Sequence, residues 1–392
     1  MSTSSGRKRS RNDRDEDPFV STSNLELLEG VHNEDTPRAN KFLLMQPQER
    51  RGRESPSLPS SASNRSASLS SRSVSISNRS SPTKQFRNAE MQETGFNVGS
   101  FRLDQHPESL KTLRIRLRDI GSGYAILPAS LRRELSDSDS EIPPYAFKTD
   151  QETQVDGNLP SLSWVQKLVK RAAECLIDRE GEASWNADVH APILEHVFRS
   201  DRFRSSGLGD FRCCPSAQIL PSFKPRDAPS KMVDFCVFVR PESNSPEEQS
   251  INTICQSRPG FSINHTDLGN FCKHPIALSI ETKRPGEHRD RATLQMGTWH
   301  SSQWRSLRYP LFQPRTAGSI EFLPGIIIQG HDWQFVATIL DQNHKALLLT
   351  GVRIGGTETE LAVYSLIVAL QHLREWIKDV YWPAFIEDML HA

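Results

Sequence analysis

The chain is poor in apolar residues for its length. Hydrophobic residues make up 36% of its 392 positions, below the ~45–50% apolar share of an ordinary soluble domain, a figure that also counts glycine. Folding from end to end is therefore excluded. Charge of one sign is also missing: 48 Lys and Arg stand against 48 Asp and Glu. That balance rules out a uniformly basic, histone-like binder and leaves any nucleic-acid contact to a local patch. No run approaches the ~20 apolar residues that cross a bilayer, and the nearest, Ile326-Ile327-Ile328, is strand-sized, so no membrane partner is expected. The first nine residues hold no apolar segment, and no secretory signal is read there. None of the six cysteines (Cys175, Cys213, Cys214, Cys236, Cys255, Cys272) forms a C-x-x-C pair. They are expected as reduced thiols in an intracellular protein. Cys272 with His274 comes closest to a zinc pairing, and zinc is not expected there. The chain has neither a G-x-S-x-G elbow nor a Walker A loop, which argues against serine-hydrolase and ATP-driven chemistry.

What is present changes along the chain. From Met1 to about Gly99 the sequence is polar and irregular, and about half of the residues from Ser55 to Ser81 are serine. Such a stretch buries too little apolar surface to offset its ordering entropy. Residues 1–105 are therefore expected to be a disordered Ser/Arg-rich tail. Ser55-Pro56 and Ser81-Pro82 look like proline-directed phosphorylation sites. Arg7-Lys8-Arg9 with Arg11 has the character of a nuclear import signal. Residues 106–158 read as short helices and an acidic linker. Leu110, Leu113, Leu117 and Ile120 recur at helical spacing before Gly121-Ser122-Gly123.

The main domain is expected over 159–392. A helix over Val165–Leu176 is followed by another over about Glu180–Phe198. Val233–Val239 and Ile276–Ile280 are apolar β-forming runs and read as buried strands. A helix over about Arg289–Trp304, three strands between Gly325 and Ile354 and a closing helix over Glu360–Tyr381 complete an α/β pattern with a mixed central sheet.

Candidate chemistry begins with Glu281-Thr282-Lys283, directly after an apolar strand. Alternation puts Glu281 and Lys283 on one face and Thr282 on the other. Asp234 lies inside the other apolar run, where a carboxylate is costly unless paired or bound to metal. A third acid should come from the preceding helix. With 100° per residue, Glu182 falls within about 60° of Trp185, Val189 and Ile193, whereas Glu195 lands on the far side. Pro192 could break that helix and reset its phase. Hard oxygen donors suit Mg²⁺ (or Mn²⁺), so Glu182, Asp234 and Glu281 are the candidate metal ligands, with the Thr282 carbonyl as a further one. A bound ion polarises a phosphate and activates water. Lys283 beside it could position that water or stabilise developing charge. Gln295, one turn before Trp299, would present its amide at the site's edge, to a lysine, a metal-bound water or a phosphate.

An acidic helix, a strand with Asp, a strand ending in E-x-K and a helix with Gln together resemble the PD-(D/E)XK nuclease superfamily. More narrowly they resemble the fungal PD-(D/E)XK nuclease-like domain proteins. The resemblance is carried by Glu182–His190, Val233-Asp234-Phe235, Ile280–Pro285, Leu294–Trp299, Pro324–Trp333 and Tyr381-Trp382-Pro383. It implies a restriction-endonuclease-like three-layer fold, with a central mixed sheet flanked by helices. It also implies catalytic roles for Asp234, Glu281, Lys283, Gln295 and Glu182, with Lys283 as base or electrostatic stabiliser. Val233 replaces the proline of the superfamily's name, and a polar insertion over 241–274 separates the two acidic strands.

The leading expectation is a metal-dependent nuclease, or a domain descended from one, acting on DNA ahead of RNA. A homodimer would pair two sites for cutting both strands. The alternative is a catalytically inactive module docking nucleic acid or protein on the same fold. A third reading makes the folded domain an anchor for a regulatory tail. Arg199, Arg202, Arg204, Arg212, Arg284, Arg289 and Arg291 are candidate phosphate contacts, against a plain solvated surface. Trp299, Trp304, Trp333, Trp376 and Trp382 read as core, and His331-Asp332-Trp333 as a strand turn.

Overall fold

The computed structural model describes residues 81–136, 142–149, 158–199, 208–226, 228, 232–309 and 318–391. The basic cluster Arg7–Arg11, Ser55-Pro56, the acidic residues of the linker, Arg202 and Arg204 lie outside them. In chain order the helices are α1 (Pro82–Met91), α2 (Glu108–Gly121), α3 (Arg132–Ser136), α4 (Leu162–Ile177), α5 (Glu182–Trp185), α6 (Ala191–Phe198), α7 (Pro246–Cys255), α8 (Arg289–Leu307), α9 (Glu360–Trp376) and α10 (Trp382–Phe385). The strands are β1 (Phe96–Ser100), β2 (Gly209–Cys213), β3 (Phe235–Val239), β4 (Ile276–Lys283), β5 (Leu323–Gln329), β6 (Asp332–Leu340) and β7 (Ala346–Gly356). None of the helices is long and apolar enough to cross a membrane.

The described strands form one sheet in the order β1-β7-β6-β5-β4-β3-β2. The pairs β1–β7 and β4–β5 are parallel and the rest antiparallel. All residues of β3 and β4 are buried, which is why they read as unbroken apolar runs. On one face Gly325 of β5 lies against Met296 and His300 of α8, where any Cβ would collide. On the other, Trp333 of β6 packs edge-on against His190, and Gly355 of β7 lies against Leu366 of α9. The expected mixed sheet between helical layers is the architecture found.

Two expectations need correction. The tail does not extend to residue 105. Ser81 caps α1, accepting from the Lys84 amide ahead of a proline in the first turn, so the second Ser-Pro pair is a helix start. Phe96 then anchors β1 along β7. β1 eludes a local reading because Phe96 is its one fully buried residue and its partner strand lies some 250 positions away. α2 packs on β7 and α9, so residues 106–121 belong to the same body as the sheet. Second, of the two effects open to Pro192, the break does not occur and the phase reset does: the expected helix runs continuously from Glu182 to Phe198. A π-turn, Asn186–His190, lies just before the proline. Proline has no N–H to donate back along the helix, and widening the preceding turn accommodates its ring. The insertion over 241–274 is folded: it contains α7, and buried Arg258 donates to the carbonyls of Ser262, Ile263, Ser306 and Tyr309.

Candidate active site

The β3–β4 ladder stops at Phe235↔Ile280, whereas β4 continues along β5 to Lys283↔Gln329. Glu281, Thr282 and Lys283 thus run past the end of β3, and Asp234 sits opposite that overhang. Its amide donates to the Ile280 carbonyl at 3.0 Å. The Asp234 side chain turns to the overhang, where Oδ2 accepts from both the amide and the hydroxyl of Thr282, each at 2.9 Å.

Lys283 is the hub on the other side. Its Nζ donates to Glu281 Oε1 at 2.7 Å, to the Thr282 carbonyl at 2.8 Å and to Glu182 Oε1 at 3.2 Å. Three donors meet three acceptors, so the ammonium is saturated. Glu281 is completely buried, Lys283 is 7% exposed and Glu182 31%. The β5–β6 turn closes over the strand end, with the Gly330 amide donating to the Lys283 carbonyl at 2.8 Å. Gly330 needs its positive φ of 57° and has Pro285 against its α-carbon, so a side chain there would be both strained and blocked.

The electrostatics follow from crowding acids around one cation out of water. Burial pushes the Glu281 carboxyl well above its ordinary range, and Asp234 adds to this while Lys283 opposes it. Burial also raises Glu182, again opposed by Lys283 and reinforced by Asp234. For Lys283, burial alone pulls the pKa down, but Glu281, Glu182 and Asp234 together outweigh it and hold the ammonium above its usual value. In this arrangement Lys283 carries a proton. Stabilising charge suits it better than removing a proton.

Among the described residues no three His, Cys, Asp or Glu side chains are grouped to hold a metal ion, and the ammonium stands among the acids instead. The donor chemistry still fits a hard divalent cation. Carboxylate and carbonyl oxygens converge here, and Glu281 Oε2 is buried without a hydrogen-bond partner. Three carboxylates against one ammonium leave a formal excess of two negative charges.

The structure therefore brings Glu182, Asp234, Glu281 and Lys283 together. Glu195 lies further along, in α6 beyond the π-turn, and among the described residues it is not in the Lys283 cluster, whose helix acid is Glu182. Gln295 is near but differently engaged: its Nε2 donates to the Met232 carbonyl at 3.1 Å, steadying the segment that leads into Asp234. Thr282 was not legible as a site side chain, because strand alternation assigns it to the opposite face. Its hydroxyl reaches Asp234 only because the carboxylate turns back over the strand end. Arg199 is structural: it donates to Asp210 Oδ1 at 2.8 Å and lies over the Phe211 ring. Arg284 pairs with Glu287 and Arg289 donates to Gln334, while Arg212 and Arg291 remain exposed. Trp299 and Trp333 are fully buried and Trp304 nearly so. Trp376 stacks on Phe322 and Trp382 on Phe385, so the tryptophans serve the core.

Comparison with curated proteins and with solved structures finds no match. A family model described as the PD-(D/E)XK nuclease superfamily matches residues 130–382, more than half of the chain. That span contains the acidic helix, the Asp234 strand, the E-x-K strand and the Gln295 helix in order. With a mixed sheet presenting these residues at one strand end, the chain belongs to the PD-(D/E)XK nuclease superfamily.

Proposed function

We propose that the protein is a divalent-metal-dependent nuclease that hydrolyses phosphodiester bonds of DNA, ahead of RNA. The observation that carries this reading is the cluster of buried Glu281 and Lys283 with half-buried Glu182 beside Asp234, at the end of a strand that outruns its neighbour. Asp234, Glu281 and Glu182 would hold Mg²⁺ or Mn²⁺, with the Thr282 carbonyl as a further oxygen. A bound ion there supplies neutralisation of the phosphate and a more acidic water. Lys283 keeps a positive charge beside the reacting phosphate, where water is excluded and charge is worth more. Gln295 supports the Asp234 segment through Met232. Two exposed arginines, Arg212 and Arg291, are available for backbone contacts whose strength falls with salt. Pairing of two copies and nuclear residence, from Arg7-Lys8-Arg9 with Arg11, belong to the same proposal.

A docking module without turnover is the second reading. It is favoured by one observation, that all three Lys283 donors are already satisfied within the protein. The two readings part on cleavage. Plasmid, single-stranded DNA and RNA are offered to the purified chain with Mg²⁺ or Mn²⁺, with EDTA and Lys283→Ala as controls. The nuclease reading expects cutting that both controls abolish. No cutting of any substrate, with no ion binding by calorimetry, would support docking alone.

A further inference from the structure

Asp234 is only partly buried and stands just outside the ladder, where an aspartate side chain has rotamer freedom to lose. Yet one of its oxygens is gripped twice. The Thr282 amide and hydroxyl both donate to Oδ2 at 2.9 Å, which uses both of that oxygen's acceptor positions and, among the described residues, leaves Oδ1 without a donor. The Thr282 side chain is 1% exposed, so its hydroxyl needs a partner, and in this structure that partner is Asp234. The Thr282 carbonyl meanwhile accepts from Lys283. One residue thus ties together the two sides of the site.

We infer that Thr282 is a positioning residue for the phosphodiester chemistry: its hydroxyl and amide fix Asp234 in the orientation that would leave its other oxygen for a divalent cation. This rests on the nuclease reading above. The hydroxyl is the part that the sequence chose. Every non-proline residue would bring the amide, but valine, with nearly the same shape and strand preference, would leave Oδ2 with one donor.

The test uses the full chain as wild type, Thr282→Val, Thr282→Ala and Thr282→Ser, and reads Mn²⁺ affinity by calorimetry alongside cleavage of plasmid DNA. Removing groups that orient a metal-ligating side chain typically costs about 10–100-fold in metal affinity or activity. Thr282→Val and Thr282→Ala should both show a loss of that size in Mn²⁺ affinity and in kcat, with KM for DNA little changed. Thr282→Ser should restore both. If valine disrupts folding, the smaller alanine variant carries the comparison. A wild type that binds and cuts, matched by hydroxyl-free variants in both readouts, overturns this assignment alone. A wild type that neither binds Mn²⁺ nor cuts overturns the nuclease reading and this assignment with it.

Discussion

The Lys283 ammonium lies 2.7 Å from the Glu281 carboxylate, two residues away on the same strand, and both side chains are buried. Removing one member of such a pair leaves the other uncompensated, at a cost of about 3–5 kcal/mol. Lys283→Met should therefore destabilise the metal-free protein by roughly that amount near pH 8. The loss should shrink toward pH 5, because Glu281, already raised by burial, then takes up a proton instead of carrying a bare charge. Denaturant melts of both proteins at the two pH values read this difference. An equal loss at both would mean that Glu281 does not bear the charge.

Three buried histidines set a wider acid limit. Burial lowers His190, His265 and His300 to about 3, whereas an unfolded histidine titrates near 6.5. The folded state thus binds fewer protons between those values. The stability these groups contribute is complete above pH ~6.5 and falls as pH drops, by up to about 1.4 kcal/mol per pH unit for each group. His265, with neither ring nitrogen hydrogen-bonded, is the clearest case. His265→Leu should flatten the profile between pH 6.5 and 5 in thermal melts, and an unchanged slope would exclude it as a contributor.

Gly297 sits inside α8, where alanine would ordinarily be better by about 1 kcal/mol. Here an added Cβ would meet the Phe96 ring at 2.2 Å. The clash should win, so Gly297→Ala is expected to destabilise by about 1–3 kcal/mol. Limited proteolysis should then release the segment carrying β1. A stabilised Gly297→Ala would show that β1 does not dock as described.

Arg258 makes its bonds to carbonyls and a hydroxyl, joining the 241–274 insertion to the end of α8. Burial lowers it to about 10, so it remains charged at neutral pH. Arg258→Met should leave several buried carbonyls unpaired, each costing about 1–3 kcal/mol, and should loosen the insertion while the E-x-K strand stays protected. Hydrogen exchange resolved by segment separates local loosening from global unfolding.

The legible parts of this chain are those with a strong local signal. β3 and β4 show as apolar runs because both faces are covered, and Glu182 emerges from helical phase because buried Trp185 lies in the same turn, ahead of the π-turn that shifts the phase of Val189 and Ile193. β1 and β2 are edge strands whose pairing is non-local and whose burial is partial. Missing β2 also hid Asp210, and with it the structural role of Arg199. The Thr282–Asp234 and Gln295–Met232 bonds depend on where one strand stops relative to another, which periodicity does not encode.

The most direct test compares wild type with Glu281→Gln in single-turnover cleavage, at matched folded fraction. The amide keeps the shape but takes a partner from the buried Lys283 ammonium, which retains Glu182 at 3.2 Å, so the variant should lose stability and the comparison is made only on folded protein. Wild type should cut in a metal-dependent way and the variant should lose at least about 10²-fold, the scale on which catalytic groups act. Cutting by Glu281→Gln at the wild-type rate would contradict a site built on Glu281.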